Sequence, residues 1–174
     1  MELAWGKNKH WLVPLVNGEP DNDKAISLYT PVEGTLQLNP TKGEKKEGLV
    51  EGGEVEAVKY NKNKYEVGFE IRQGNEDGSP RKKPVDDEDG VVPGEYQYLC
   101  QPENAEVEGI RIDRCVVSCE DSLNMSDGGR WKYTIDAMKP KTGNTIKWEI
   151  IKDPKEAAQQ AQASPQAKNS AGKV

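Results

Sequence analysis

The chain has 174 residues, a formal charge of −6 and a single histidine. Hydrophobic content of 34% and a mean hydropathy of −0.87 are low for one compact domain, so either polar loops and tails dilute an ordinary core or neighbouring subunits complete it. The acidic balance argues against broad binding to nucleic acid or anionic membrane, both of which need a basic surface, and no stretch approaches the roughly 20 apolar residues of a spanning helix.

Residues 1–5 lack a basic start and the early apolar run 11–16 contains Pro14, so no signal peptide is read; the chain is expected to be made and kept in the cytoplasm unless exported without a cleaved signal. Strand-like runs follow at 11–16, 26–30, 35–38, 53–60, 64–72, 95–100, 108–120, 130–138 and 145–152, separated by turn signals such as Asn17-Gly18, Asn39-Pro40, Asp77-Gly78 and Asp127-Gly128-Gly129. Trp5 and Trp11 flank a polar segment; they either close one end of the domain or dock on an adjacent copy.

The strongest pattern spans 54–72. Tyr65, Val67, Phe69 and Ile71 alternate with Glu66, Gly68, Glu70 and Arg72, the period of a half-buried strand. With 61–63 as a three-residue loop and Asn63 left-handed, Val55 is expected to face Phe69, and Ala57 to face Val67. Glu54, Glu56, Glu66 and Glu70 then share one acidic face.

Residues 73–94 form a long polar segment with a basic cluster (Arg81, Lys82, Lys83) ahead of an acidic one (Asp86, Asp87, Glu88, Asp89). It is either a solvated loop or an arm that orders against a neighbour through its split charges. Further on, Trp131, Tyr133, Ile135 and Ala137 form an apolar row, and Pro140 to Gly143 return the chain into Ile146, Trp148 and Ile150, predicting a three-strand meander with Trp131 and Trp148 in the core. Asp153 before Pro154 marks the one helix start; beyond it, through Val174, the Ala/Gln/Ser/Lys composition predicts a short helix passing into a disordered tail. The division is a β domain over 1–152 and a tail over 153–174. The fold class is all-β: an antiparallel sandwich or a small closed barrel.

Catalytic constellations are mostly missing from the sequence; paired carboxylates such as Glu66 and Glu70 offer a hydrolase reading, the weakest of three functional readings, because almost any exposed acidic strand supplies such a pair. One histidine leaves little for a His-dependent triad, and neither a nucleophile elbow nor a phosphate loop occurs. The run 86–89 lacks the spaced oxygens of a calcium loop. Cys115 and Cys119, four apart on one strand, lie about 13 Å apart at the usual strand rise, too far to bridge. Buried free thiols are expected, with no metal and no cofactor.

The run 51–58 (Glu-Gly-Gly-Glu-Val-Glu-Ala-Val), the strand 65–72 and the segments Gly128 to Tyr133 and Lys139 to Asn144 resemble the tail tube proteins of long-tailed bacteriophages and prophages, in particular those of Bacteroides-like hosts. The likeness covers about residues 11–152 and rests on strand order and turn placement. It implies a sandwich or barrel related to type VI secretion tube subunits, forming rings, commonly hexamers, that stack into a hollow virion tail. Such subunits usually carry a helix packed on the barrel, and none is read inside this chain. The resemblance further implies self-association, other phage tail proteins as partners, and DNA passing without specific binding. Glu54, Glu56, Glu66 and Glu70 are the candidate lumen residues; Trp5, Trp11, Arg81, Lys82, Lys83, Asp86, Asp87, Glu88 and Asp89 are the candidate assembly residues. Within virion proteins a tail terminator or adaptor of similar fold fits as well. The alternative from a different class is a non-catalytic β-sandwich binding module of adhesin or carbohydrate-binding type.

Overall fold

The computed structural model describes residues 6–163, with side chains to residue 159. Among the described residues there are eleven strands: β1 (Lys9–Val16), β2 (Glu19–Pro20), β3 (Ile26–Ser27), β4 (Gln37–Thr41), β5 (Lys45–Leu49), β6 (Val55–Tyr60), β7 (Lys64–Arg72), β8 (Tyr96–Gln101), β9 (Gly109–Asn124), β10 (Gly128–Ala137) and β11 (Ile146–Glu149). One α-helix, α1 (Pro154–Ala163), follows them. All pairings are antiparallel, and the main sheet runs β2-β1-β8-β9-β10-β7-β4.

This sheet rolls until its halves pack face to face as a sandwich. β1 and β7 stand four places apart in strand order and are not paired, yet the His10 ring meets Phe69 edge-on at 4.8 Å. Phe69 also stacks on Tyr133 at 5.5 Å and lies 6.2 Å from Tyr98. The sheet does not close into a barrel. Instead the segment 26–32 spans the seam: β3 pairs with β1, the Leu28 amide donates to the His10 carbonyl, and the Val32 amide donates to the Glu70 carbonyl. Period-2 alternation on β7, β9 and β10 turns Val67, Phe69, Ile71, Val117, Trp131, Tyr133 and Ile135 into this interior.

His10 is the buried polar group of the seam. Its Nε2 lies 2.6 Å from the Tyr29 carbonyl, which can only accept, so Nε2 carries the proton and Nδ1 receives the Tyr98 hydroxyl at 3.3 Å. Burial pushes the imidazole down to about 4, only partly opposed by the carbonyl hydrogen bond.

A smaller cluster lies on the opposite side of β1. Trp11 and Val13, with Leu99 of β8, are covered by Ala25 and Ile151. The run His10 to Val13 is therefore buried on both faces, which explains why it shows no alternation. Trp11 is 7% exposed, so its assignment as an assembly residue is corrected: it closes the domain. The Gln101 side chain secures the cover, accepting from the Ile151 amide at 2.8 Å and donating to the Val107 carbonyl at 2.7 Å. Helix α1 starts where Asp153 predicts, its carboxylate accepting from the Lys155 amide at 2.9 Å, and it packs on the short 3₁₀ turn at Asn22–Lys24. The tail expected beyond residue 163 falls outside the described residues.

One pairing around β9 differs from the sequence expectation. The β1–β2 and β9–β10 hairpins form where their turn signals lie, Asn17-Gly18 adopting positive φ at both positions as a type I′ turn requires. But β11 pairs with β9, not β10, so the predicted meander is absent. β10 and β11 occupy the same edge of β9 in tandem, separated by an excursion at 139–145. Pro140 has no amide to donate and breaks the ladder there. Trp148 on β11 is correspondingly 52% exposed, against the expected core position. All three cysteines are free and buried, as expected.

Candidate assembly surface

The expected β6–β7 hairpin is not formed. β6 pairs only with β5, while β7 lies between β10 and β4. The connection is nevertheless orderly. β4 meets β7 up to Thr41 opposite Lys64, and the same register resumes at Lys45 opposite Tyr60. Residues 37–68 are thus one long hairpin whose inner half belongs to the body and whose outer half stands free as a two-stranded ribbon. The neck is held by the Asn61 amide donating to the Glu44 carbonyl, and by the Gly43 amide donating to the Asn63 side chain. Gly43 is required here: a Cβ would sit 1.9 Å from the Asn61 carbonyl oxygen. Asn63 has no positive φ, because it serves this neck and not a tight hairpin loop. Beyond the neck the ribbon extends by eight or nine residues, on the order of 25–30 Å at strand rise.

Every residue of β5 and β6 is exposed. Side chains directly opposite across an antiparallel pair share a face. One face therefore carries Lys45 with Tyr60, Glu47 with Val58, and, past a bulge, Leu49 with Val55. The other carries Lys46 with Lys59 and Gly48 with Ala57. On the first face Tyr60, Val58, Val55 and Leu49 form an apolar strip beside the charged Lys45 and Glu47, and none of the described residues covers it: Val58 is 47% and Leu49 62% exposed. A free two-stranded ribbon is marginal in water by itself. This one gains only a Lys45–Glu47 ion pair and Lys42 Nζ over the Tyr60 ring at 5.2 Å.

Charge divides along the ribbon. Its distal part holds Glu47, Glu51, Glu54 and Glu56; its root and the neck hold Lys42, Lys45, Lys46, Lys59 and Lys62, with Glu44 the one carboxylate among them. Beside the root opens a cleft of about 950 Å³ between the 61–65 neck and the 139–145 excursion. Leu38, Ile146 and Trp148 contribute its apolar part, and Lys62, Lys64 and Lys139 its charge; no carboxylate lines it. Among the described residues none of these three lysines, nor Glu51, Glu54 or Glu56, is in an ion pair.

The four candidate lumen glutamates are consequently split. Glu54 and Glu56 sit at the end of the ribbon, whereas Glu66 and Glu70 lie on the outer face of β7. On that face three rows run across β9, β10 and β7, the second and third continuing onto β4. The first is Glu120, Lys132 and Glu70; the second is Ser118, Thr134, Gly68 and Gln37; the third is Val116, Asp136, Glu66 and Asn39. The next row carries Arg130 and Arg72, with Arg130 ion-paired to Glu70 at 3.2 Å and to Asp127 at 3.3 Å. The outer wall is therefore polar, with carboxylates punctuated by cations.

The sequence matches no protein-family model and no curated protein.

The 73–94 segment is packed along the body, not extended as an arm. Val85 and Val92 enter the core. Arg81 lies 4.7 Å over the Tyr29 ring and donates to Asn75 and to the Arg72 carbonyl. Lys83 bridges Asp87 and Asp121; its burial would lower the ammonium, but both carboxylates outweigh that and raise it. Asp87 also accepts from the Gly90 amide at 2.9 Å. Arg81, Lys83 and Asp87 are thus satisfied within the chain, while Lys82, Asp86, Glu88 and Asp89 are left exposed. Trp5 lies outside the described residues. The ribbon was only half legible, because β5 (Lys-Lys-Glu-Gly-Leu) has no apolar alternation to betray a strand; the one available signal was the lysine-to-glutamate change of sign along 42–56.

Proposed function

We propose that the chain is a non-catalytic building block of a tube, a ring-forming subunit of the phage tail tube type, in virions assembled in a host cytoplasm. The observation that carries this reading is the free ribbon with an uncovered apolar face. A monomer gains nothing from holding such a strand pair in water, whereas a lattice of copies buries it. Contacts between an arm and a different surface are heterologous; they close into rings or propagate as filaments. The outer rows from Ser118 to Asn39, with Glu66 and Glu70 among them, are the candidate conduit wall: few free cations face a passing phosphate chain, so little affinity accrues from counterion release. Glu54 and Glu56 belong to the arm in this reading.

One observation favours a carbohydrate-binding module as a second reading: exposed Trp148 stands beside Asn61, Asn63 and Asn144 in the same cleft. Negative-stain microscopy and sedimentation of the purified chain separate the two. Rings or hollow tubes are expected. A strictly monomeric protein at high concentration that is stabilised by a specific oligosaccharide would overturn the tube reading.

A further inference from the structure

We infer that the distal turn of the ribbon docks into the lysine-rimmed cleft at the ribbon root of a second copy, so that copies join head to tail. This rests on the self-association in the proposed function, and on no other part of it.

Three features of the structure converge on that contact. Glu51 and Glu54 flank the distal turn, which is closed by the Val50 amide donating to the Glu54 carbonyl and presents Leu49, Val50 and Val55 beside the carboxylates. The cleft offers the reciprocal chemistry: an apolar strip from Leu38 to Trp148 with Lys62, Lys64 and Lys139 around it, and no carboxylate to repel the guest. Finally, the two sites cannot satisfy one another within one chain. The turn stands roughly 25–30 Å from the root along a continuous ladder, well beyond the ~10 Å screening length at 0.1 M salt. Attraction between them is therefore realised only in trans, between different surfaces, which is the geometry that leaves an unfilled site at each end of a growing chain of copies.

Alternatives are separated by exchanging the charges. One variant carries Glu51→Lys and Glu54→Lys; the other carries Lys62→Glu and Lys139→Glu. All four side chains are exposed, and matching far-UV circular dichroism and melting profiles check that the body is intact. Each variant alone has like charges at both sites and is expected to self-associate at least tenfold more weakly than wild type in sedimentation velocity. An equimolar mixture pairs lysine tips with glutamate clefts and glutamate tips with lysine clefts, and should recover assembly. Raising salt from 0.1 to 0.5 M should weaken wild-type assembly as well. If wild type assembles and either variant alone assembles equally well, or if the mixture fails to recover, the docking is wrong while the proposed function stands. If wild type never associates, both are wrong.

Discussion

His10 makes the stability of this fold depend on pH in a calculable way. The imidazole is buried against Phe69, Tyr98 and the Tyr29 carbonyl, with no carboxylate in contact to stabilise a positive charge. Its folded value is about 4, against about 6.5 in an unfolded chain. Because the folded value is depressed, the neutral ring is the form that folds. Its contribution is complete above pH 6.5 and is lost as pH falls from there to 4, where the unfolded chain binds the extra proton. Between pH 7 and pH 4.5 this one site should remove about 2.5 kcal/mol of unfolding free energy. Carboxylates such as Asp87 and Glu95, held low by Lys83 and Arg114, begin to lose their contribution only at the acid end of this range and lose most of it below, so the measurement must be differential. Urea unfolding of wild type and His10→Gln, which keeps an amide donor for Tyr29, isolates the term. The gap between the two proteins should narrow by that amount on acidification. Parallel stability curves from pH 7 to 4.5 would show that the ring is hydrated in solution and the reasoning wrong.

Two further perturbations test the packing and the neck. Phe69→Ala removes the ring shared by both halves of the sandwich and should cost about 3–5 kcal/mol in urea unfolding; a cost below about 2 kcal/mol would mean that the seam collapses into the gap. Gly43→Ala forces a methyl group toward the Asn61 carbonyl. Amide exchange in β5 and β6 should accelerate at least tenfold while the β9–β10 amides keep their protection, and uniform exchange across the molecule would count against an independent ribbon.

Strands whose two faces meet different environments were the legible ones. β7 and β10 alternate because one side meets the core and the other water, and both were read with nearly correct ends. β1 was found as an apolar run, but its two-sided burial gave no indication that Trp11 faces inward, on a second small cluster. Pairing was harder to read than strand identity. The loop 61–63 is short enough for a hairpin, and nothing local reveals that β4, more than twenty residues earlier, takes the neighbouring place beside β7. The exit of β10 carried a usable sign in Pro140, which forbids a continuous ladder; the return of the chain to the same edge of β9 depends on non-local pairing alone. The candidate site suffered most. The charged segment 73–94 looked like an arm because its hydrophobic anchors are only two valines, Val85 and Val92, buried by strands distant in sequence.

The unbroken register from β4 and β7 into the ribbon has a mechanical corollary. A load applied at the distal turn travels straight down β7, whose hydrogen bonds to β10 lie across that direction. Those bonds would resist together, in shear, instead of opening one after another like a zipper. Tension reaching a molecule through this limb would thus be shared along the strand that carries Phe69, a ring at the centre of its core.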